Sequence, residues 1–353
     1  MTEMLRQHSL LIAAILIAGG MIVFATSQGE LAERVFLTAQ AALAEGTGWL
    51  LILIMNAVLV FVVYLAVSPY AKRRLGGPDA RPEYSRLDWF GMLFAAGMGI
   101  GLLFYSVAEP LQHYTAFLPY MEDELITARA SMEMTFLHWG LHPWAIYALV
   151  GLSLAFFHFN RSERLSFEAP LRELAGPARA LRLGWIVNLA AVIGTVFGVS
   201  TSLGLGATQA SAGVGELFGV PVSFTLQFGI IGLVCAAATV SVLAGVGGGI
   251  RRFSVLNLML AFALMMFVLI AGESLFVLKA FGELIGAYIN DILILATWNE
   301  TFSGTNWQAE WTIFYWSWWI SWSPFVGMFI ARVSYGRTIR EYILVSYPQK
   351  IGH

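Results

Sequence analysis

The chain has 353 residues, of which 58% are apolar and only 12% charged, with a net charge of −2 and a single cysteine, Cys235. A typical soluble domain carries about 25% charged residues. The composition therefore excludes a soluble globular domain, a disordered chain and, lacking any basic field, a nucleic-acid binder. One thiol makes neither an internal disulfide nor a cysteine metal cluster, and the class is all-α: a polytopic membrane helical bundle.

Charge-free apolar runs place eight spans near residues 9–26, 48–69, 89–108, 135–157, 183–214, 218–244, 253–272 and 312–331. Each covers a hydrocarbon core of about 30 Å at 1.5 Å per residue. The first run follows Arg6 and His8, but no A-x-A-like cleavage site follows it, so it reads as an uncleaved first helix. The third holds Gly97, Gly99 and Gly101 at every second position and ends at Glu109-Pro110. Alternating glycines suit close helix packing, or an unwound stretch whose freed carbonyls coordinate an ion or admit a ligand. Glu109 is a functional candidate as an intramembrane carboxylate; at the outer edge of its run it serves equally as a cap or loop residue. The run 183–214 is too long for a straight crossing and implies a tilted or bent helix. Residues 282–297, which include Glu283 and Asp291, read as an interfacial helix on the outside. With the N-terminus in the cytoplasm, eight alternating spans place 17 of the 20 Lys and Arg residues inside, leaving Arg34, Arg129 and Lys279 outside. This is the bias the positive-inside rule predicts.

No catalytic signature is present. His138 and His142 stand four apart in the fourth span without an H-E-x-x-H pattern, and there is no nucleophile elbow or phosphate loop. The chain is expected not to be an enzyme and to need no cofactor. The unusual feature is aromatic. Trp139, Tyr147 and Trp144 fall at about 0°, 80° and 140° around the fourth span, and Tyr315, Trp319 and Trp322 share a stripe in the last. Such rings either form an interfacial belt or converge into a cage. A cage binds quaternary ammonium through cation–π attraction of about 2 kcal/mol per desolvated face, and a trimethylated cation has no N–H to donate to an acceptor.

Four motifs taken together resemble the betaine/carnitine/choline transporter family: Gly97-Met98-Gly99-Ile100-Gly101, Ala108-Glu109-Pro110, the segment from His138 to Tyr147, and the segment from Tyr315 to Arg332. The likeness extends from about residue 9 to about 344. It implies a LeuT-like inverted-repeat architecture: two leading helices and a cytoplasmic loop in 1–88, a first five-helix repeat in 89–276, an extracellular connection in 277–311, and the opening helix of a second, incomplete repeat in 312–353. The family pattern continues into four more spans, and from Val345 onward the sequence departs from it, as in a C-terminally truncated member.

By the same resemblance the aromatic box maps onto Trp139, Trp144, Tyr147 and Trp319. Trp322 lines the path nearby, Trp316 and Phe325 contribute, and Gly99 and Gly101 stand with the substrate-binding residues. One sodium site would use Ala95 and Met98. A second would use Thr195, with Val199 where another hydroxyl is expected. Gly101, where proton-coupled choline members carry Asp, implies a zwitterion such as glycine betaine, or a sulfonium analogue, with sodium (Na+) as coupling ion. The expected protein is thus a multi-pass transporter of a bacterial-type inner membrane, its partners being the osmolyte and the lipid bilayer, with a homotrimer as the family's habit. The alternatives are a non-transporting fragment, or a membrane protein that binds an osmolyte without moving it.

Overall fold

The computed structural model describes residues 2–97, 99–117, 124–302 and 306–346. The elements are α1 (Thr2–Val67), α2 (Arg86–Gly97), α3 (Ile100–Phe117), α4 (Glu124–Trp139), α5 (Leu141–Arg161), α6 (Glu168–Ala175), α7 (Pro177–Phe218), α8 (Phe224–Leu243), α9 (Arg251–Ala271), α10 (Ser274–Thr297), α11 (Trp307–Glu310), α12 (Thr312–Val333) and α13 (Ile339–Ser346). Among the described residues strand geometry is confined to one isolated bridge, Arg74 to Thr338. Six helical segments are long and apolar enough to cross a membrane, or seven if α2 and α3, bent by 57°, count as one broken span. The molecule is an all-α polytopic membrane protein.

The predicted spans map onto these helices with three differences. The first two runs lie on α1, whose 66 residues depart from helical geometry at Gly29, at φ 26° and ψ −99°. A side chain would strain that positive φ. The connection between the runs is otherwise helical because it is rich in Ala, Leu, Glu and Gln, all strong helix formers. The segment read as an interfacial helix over 282–297 belongs to a longer element, α10, which starts at Ser274 and is itself long and apolar enough to span. In the other direction, α12 has the length for a crossing, but its Trp, Tyr and Ser content leaves it less apolar than those six segments.

Helix starts follow local chemistry. The hydroxyl of Ser85 accepts from the backbone N–H of Asp88 at 3.2 Å and donates to the Asp88 carboxylate at 2.9 Å, a capping pair that opens α2. The hydroxyl of Ser223, in extended geometry, accepts from the N–H of Leu226 and caps α8. Pro177 opens the 42-residue α7, where its missing N–H costs nothing.

The chain divides into two compact units. The first takes in 1–82, 141–198 and 297–353. Its core is α5 packed along α12, with α1 and α13 against α5 and α11 at the start of α12. A Cβ added at Gly327 would come within 2.7 Å of Val150 Cγ1 and 3.0 Å of the Gly151 nitrogen. The two helices therefore cross nearly backbone to backbone, as small residues permit in membranes. Arg340 ties α13 to α1 by donating to the Ala66 carbonyl at 3.0 Å. Burial pushes the Tyr342 phenol pKa of α13 well up, so the group stays neutral.

The second unit takes in 83–140 and 199–296. Here α2 packs on α9 and α3 on α4. Gly91 lets α2 approach Val255 of α9 at ordinary van der Waals distance. The polar links are sparse: Arg251 lies 3.7 Å from Asp88, and Arg129 3.5 Å from Asp291. None of the side chains of α8 is buried, so this helix is apolar all round, as a lipid-facing span is.

Candidate functional site

The aromatic residues expected on the fourth and last spans come together in the first unit where α5 meets α12. Trp144 and Tyr147 stand edge to face with centroids 6.2 Å apart, and Tyr147 meets Trp319 edge to face at 6.2 Å. Trp319 in turn stacks on Trp318 at 5.0 Å and on Tyr315 at 5.8 Å. Tyr147, Tyr315 and Trp319 are buried, while Trp144 and Trp318 are half-buried. The local reason is spacing: residues three and four apart on a helix share a face, which aligns Trp144 with Tyr147 on α5 and Tyr315 with Trp318 and Trp319 on α12.

The other aromatic candidates of α12 go elsewhere. Buried Trp316 stacks on His142 of α5 at 5.3 Å, and His142 Nε2 lies 3.3 Å from Asn56 Oδ1 of α1. Trp322 stands edge to face with exposed Phe325 at 5.7 Å and packs over Gly198 of α7, where a Cβ would collide with the indole. Thr195, one turn before Gly198, donates its hydroxyl to the Ala191 carbonyl at 2.7 Å.

Trp139 lies at the end of α4, before the turn at Gly140, and belongs to the second unit. The single-helix phase that relates it to Trp144 and Tyr147 in the sequence is interrupted there. Its indole N–H donates to Glu109 Oε2 at 2.7 Å, and its ring lies beside Tyr105 at 6.1 Å.

The glycine-rich motif falls at the junction of α2 and α3. Ala95 sits in the last turn of α2, Gly99 is exposed and outside both helices, and Gly101 is buried at the start of α3. Met98 lies outside the described residues. Among the described residues α2 ends at Gly97 and α3 begins at Ile100, with Gly99 outside helical geometry. The last carbonyls of a helix lack intrahelical donors, so the end of α2 offers oxygen ligands.

One cluster was hidden in the sequence. Glu109 of α3 is fully buried, and its Oε1 lies 2.6 Å from His138 Nδ1 and 3.1 Å from His113 Nε2, both of them buried side chains. The His113 and His138 rings are 5.9 Å apart, edge to face. The signal available was Glu109 to His113, an i, i+4 pair on one helix face. His138, 29 residues further along, could be joined to them only by the packing of α4 on α3.

These features define a class: a multi-pass helical membrane protein with a buried aromatic cluster and a broken helix. The profile of the "BCCT, betaine/carnitine/choline family transporter" matches residues 9–348. The chain belongs to the betaine/carnitine/choline transporter family, whose members are transporters and not enzymes. Glycine betaine transporter OpuD of Bacillus subtilis is 44% identical over 316 residues, covering 88% of this chain and 62% of the relative. Glycine betaine transporter 1 of Vibrio parahaemolyticus is 46% identical over 301 residues, 84% of this chain and 57% of the relative. A glycine betaine/proline/choline transporter of the same organism is 41% identical over 329 residues, 88% and 59%. The chain thus spans about three fifths of the length of the curated relatives it matches.

Proposed function

We propose that this chain acts in the uptake of glycine betaine or a related quaternary ammonium or sulfonium osmolyte, driven by sodium. The observation that carries the reading is the convergence of rings from α5 and α12. A cation held within about 6 Å of two ring centroids at once requires those centroids to lie less than about 12 Å apart. Trp144 to Tyr147 and Tyr147 to Trp319, each at 6.2 Å, meet that condition. These rings touch one another, so an onium head either uses the outer faces of half-buried Trp144 and Trp318 or parts the edge-to-face pairs. Trp316, Trp322 and Phe325, on the same helix α12, are the further proposed substrate residues of this unit, whereas Trp139, Gly99 and Gly101, which the resemblance also assigns to substrate, belong to the second unit. The printed names of the relatives support the ligand class. Sodium is the coupling ion of this reading because Gly101 brings no titratable group to the helix break; Ala95 and Met98 are the proposed contacts of one sodium site and Thr195 that of a second, separate one.

The orientation proposed is N-terminus inside, in a bacterial-type inner membrane. Counting α10 as a crossing would carry Arg332, Arg337 and Arg340 to the outside, against the positive-inside bias. An interfacial α10 keeps them in the cytoplasm.

The test is uptake of radiolabelled glycine betaine by proteoliposomes holding the purified chain, with and without an inward sodium gradient, beside saturable binding in detergent. Sodium-dependent uptake is the expected result. Uptake indifferent to sodium overturns the coupling, binding without flux overturns transport, and no binding overturns the ligand class.

A further inference from the structure

The Glu109, His113 and His138 cluster plays no part in the aromatic site, and its composition points to chemistry of its own. Two imidazole nitrogens and a carboxylate oxygen, each from a fully buried side chain, lie within 4.8 Å of one another. A single ion about 2.0–2.2 Å from each ligand atom joins such a set after small side-chain adjustments. We propose that these three residues form a binding site for a divalent transition ion of the zinc type, which clamps α3 to α4.

Three observations favour that occupant. The donor set is two His and one Glu, a combination that Zn2+ takes and that the oxygen-preferring Mg2+ and Ca2+ do not. A carboxylate at zero exposure in a membrane-spanning region is costly as an isolated anion, and a divalent cation offsets that charge. The ligands are also held from behind: the Trp139 indole fixes Glu109 Oε2 at 2.7 Å, the kind of outer partner that orients a ligating carboxylate. His113 Nε2 and His138 Nδ1 face Glu109 Oε1 at 3.1 and 2.6 Å. On metal binding, a ring that carries one proton shifts it to its other nitrogen and a ring that carries two releases one to solvent, so that in each case a neutral imidazole gives its lone pair to the metal. The inference stands apart from the betaine reading, and its measurement needs no osmolyte.

The full chain is purified in detergent, stripped with chelator and titrated with Co2+, then with Zn2+. Expected are visible d–d bands from Co2+ with nitrogen ligation, displacement of these by Zn2+, and one Zn2+ per chain by elemental analysis. Glu109→Gln and His113→Asn each weaken binding by at least about 100-fold. Trp139→Phe, which loses only the orienting hydrogen bond, weakens it by about 10-fold. His158→Gln, whose side chain meets the Glu163 carbonyl and the Phe159 ring and no member of the cluster, leaves it unchanged. Should a variant fail to fold, Cu2+ electron paramagnetic resonance on the native chain decides, the expected signature being coupling to two imidazole nitrogens. A native chain that binds none of these ions, a Cu2+ spectrum without two-nitrogen coupling, or folded Glu109 and His113 variants that bind as tightly as the native chain overturns the proposal.

Discussion

Replacing Trp319 with Leu separates the two things this indole does. Trp319 is 5% exposed and contacts Tyr147, Tyr315 and Trp318. Leu keeps an apolar side chain on the α12 face but removes the ring's negative face. A desolvated cation–π contact contributes about 2 kcal/mol, and every 1.4 kcal/mol is a factor of ten. Glycine betaine should therefore bind about 30-fold more weakly to Trp319→Leu. Its carbon isostere, the 3,3-dimethylbutanoate anion, has the same shape at the head group, where it carries no charge. Its affinity should change much less, since only packing is altered. The assay is equilibrium binding of both ligands to the native and variant proteins in detergent, with thermal unfolding as a check on folding. The decisive quantity is the ratio of the two affinities, which should fall by about 30-fold. If both ligands lose affinity equally, the indole acts by shape alone. If neither does, the ring cluster of α5 and α12 is not the binding site. Either result refutes the electrostatic argument.

Other outcomes follow from the packing. Gly327→Val should push α12 off α5, since a Cβ there already meets the Gly151 nitrogen at 3.0 Å. Overpacking of this kind costs about 1–3 kcal/mol, read as a lower unfolding temperature in detergent, while Gly46→Ala, with nothing within 4 Å of its Cβ, should be tolerated. Gly99→Ala is also free of clashes but favours helix by about 1 kcal/mol. Thermal stability should hold or rise while sodium-dependent betaine binding falls, and unchanged binding would remove the helix break from the ion site. Arg129→Gln breaks a pair with Glu133 at 2.6 Å whose Arg side chain is 45% exposed. Solvent screens the exposed guanidinium, so the unfolding temperature should barely move.

The ring cluster of α5 and α12 was legible because it follows local spacing: Trp144 with Tyr147, and Tyr315 with Trp319, lie on single helix faces, and helical phase carries over a few residues without knowledge of the fold. The same reasoning stopped at Gly140. His138 and His142 appear as a matched i, i+4 pair, yet the turn between α4 and α5 sends His138 to Glu109 and His142 to Trp316. The break at Gly97 to Ile100 was readable as one of two uses of alternating glycines, and only packing decides between them. The helix that carries the chain between the first two runs follows from its Ala, Leu, Glu and Gln residues, which favour helix, and its kink falls at Gly29.

The glycine contact between α5 and α12 also works as a fulcrum. Tyr147 stands one turn along α5 from Gly151, and Trp319 two turns along α12 from Gly327, a lever of about 12 Å at 1.5 Å per residue. Rocking α12 by about 10° at that bearing point swings Trp319 through about 2 Å. That displacement prises open an edge-to-face ring pair without breaking a backbone hydrogen bond in either helix.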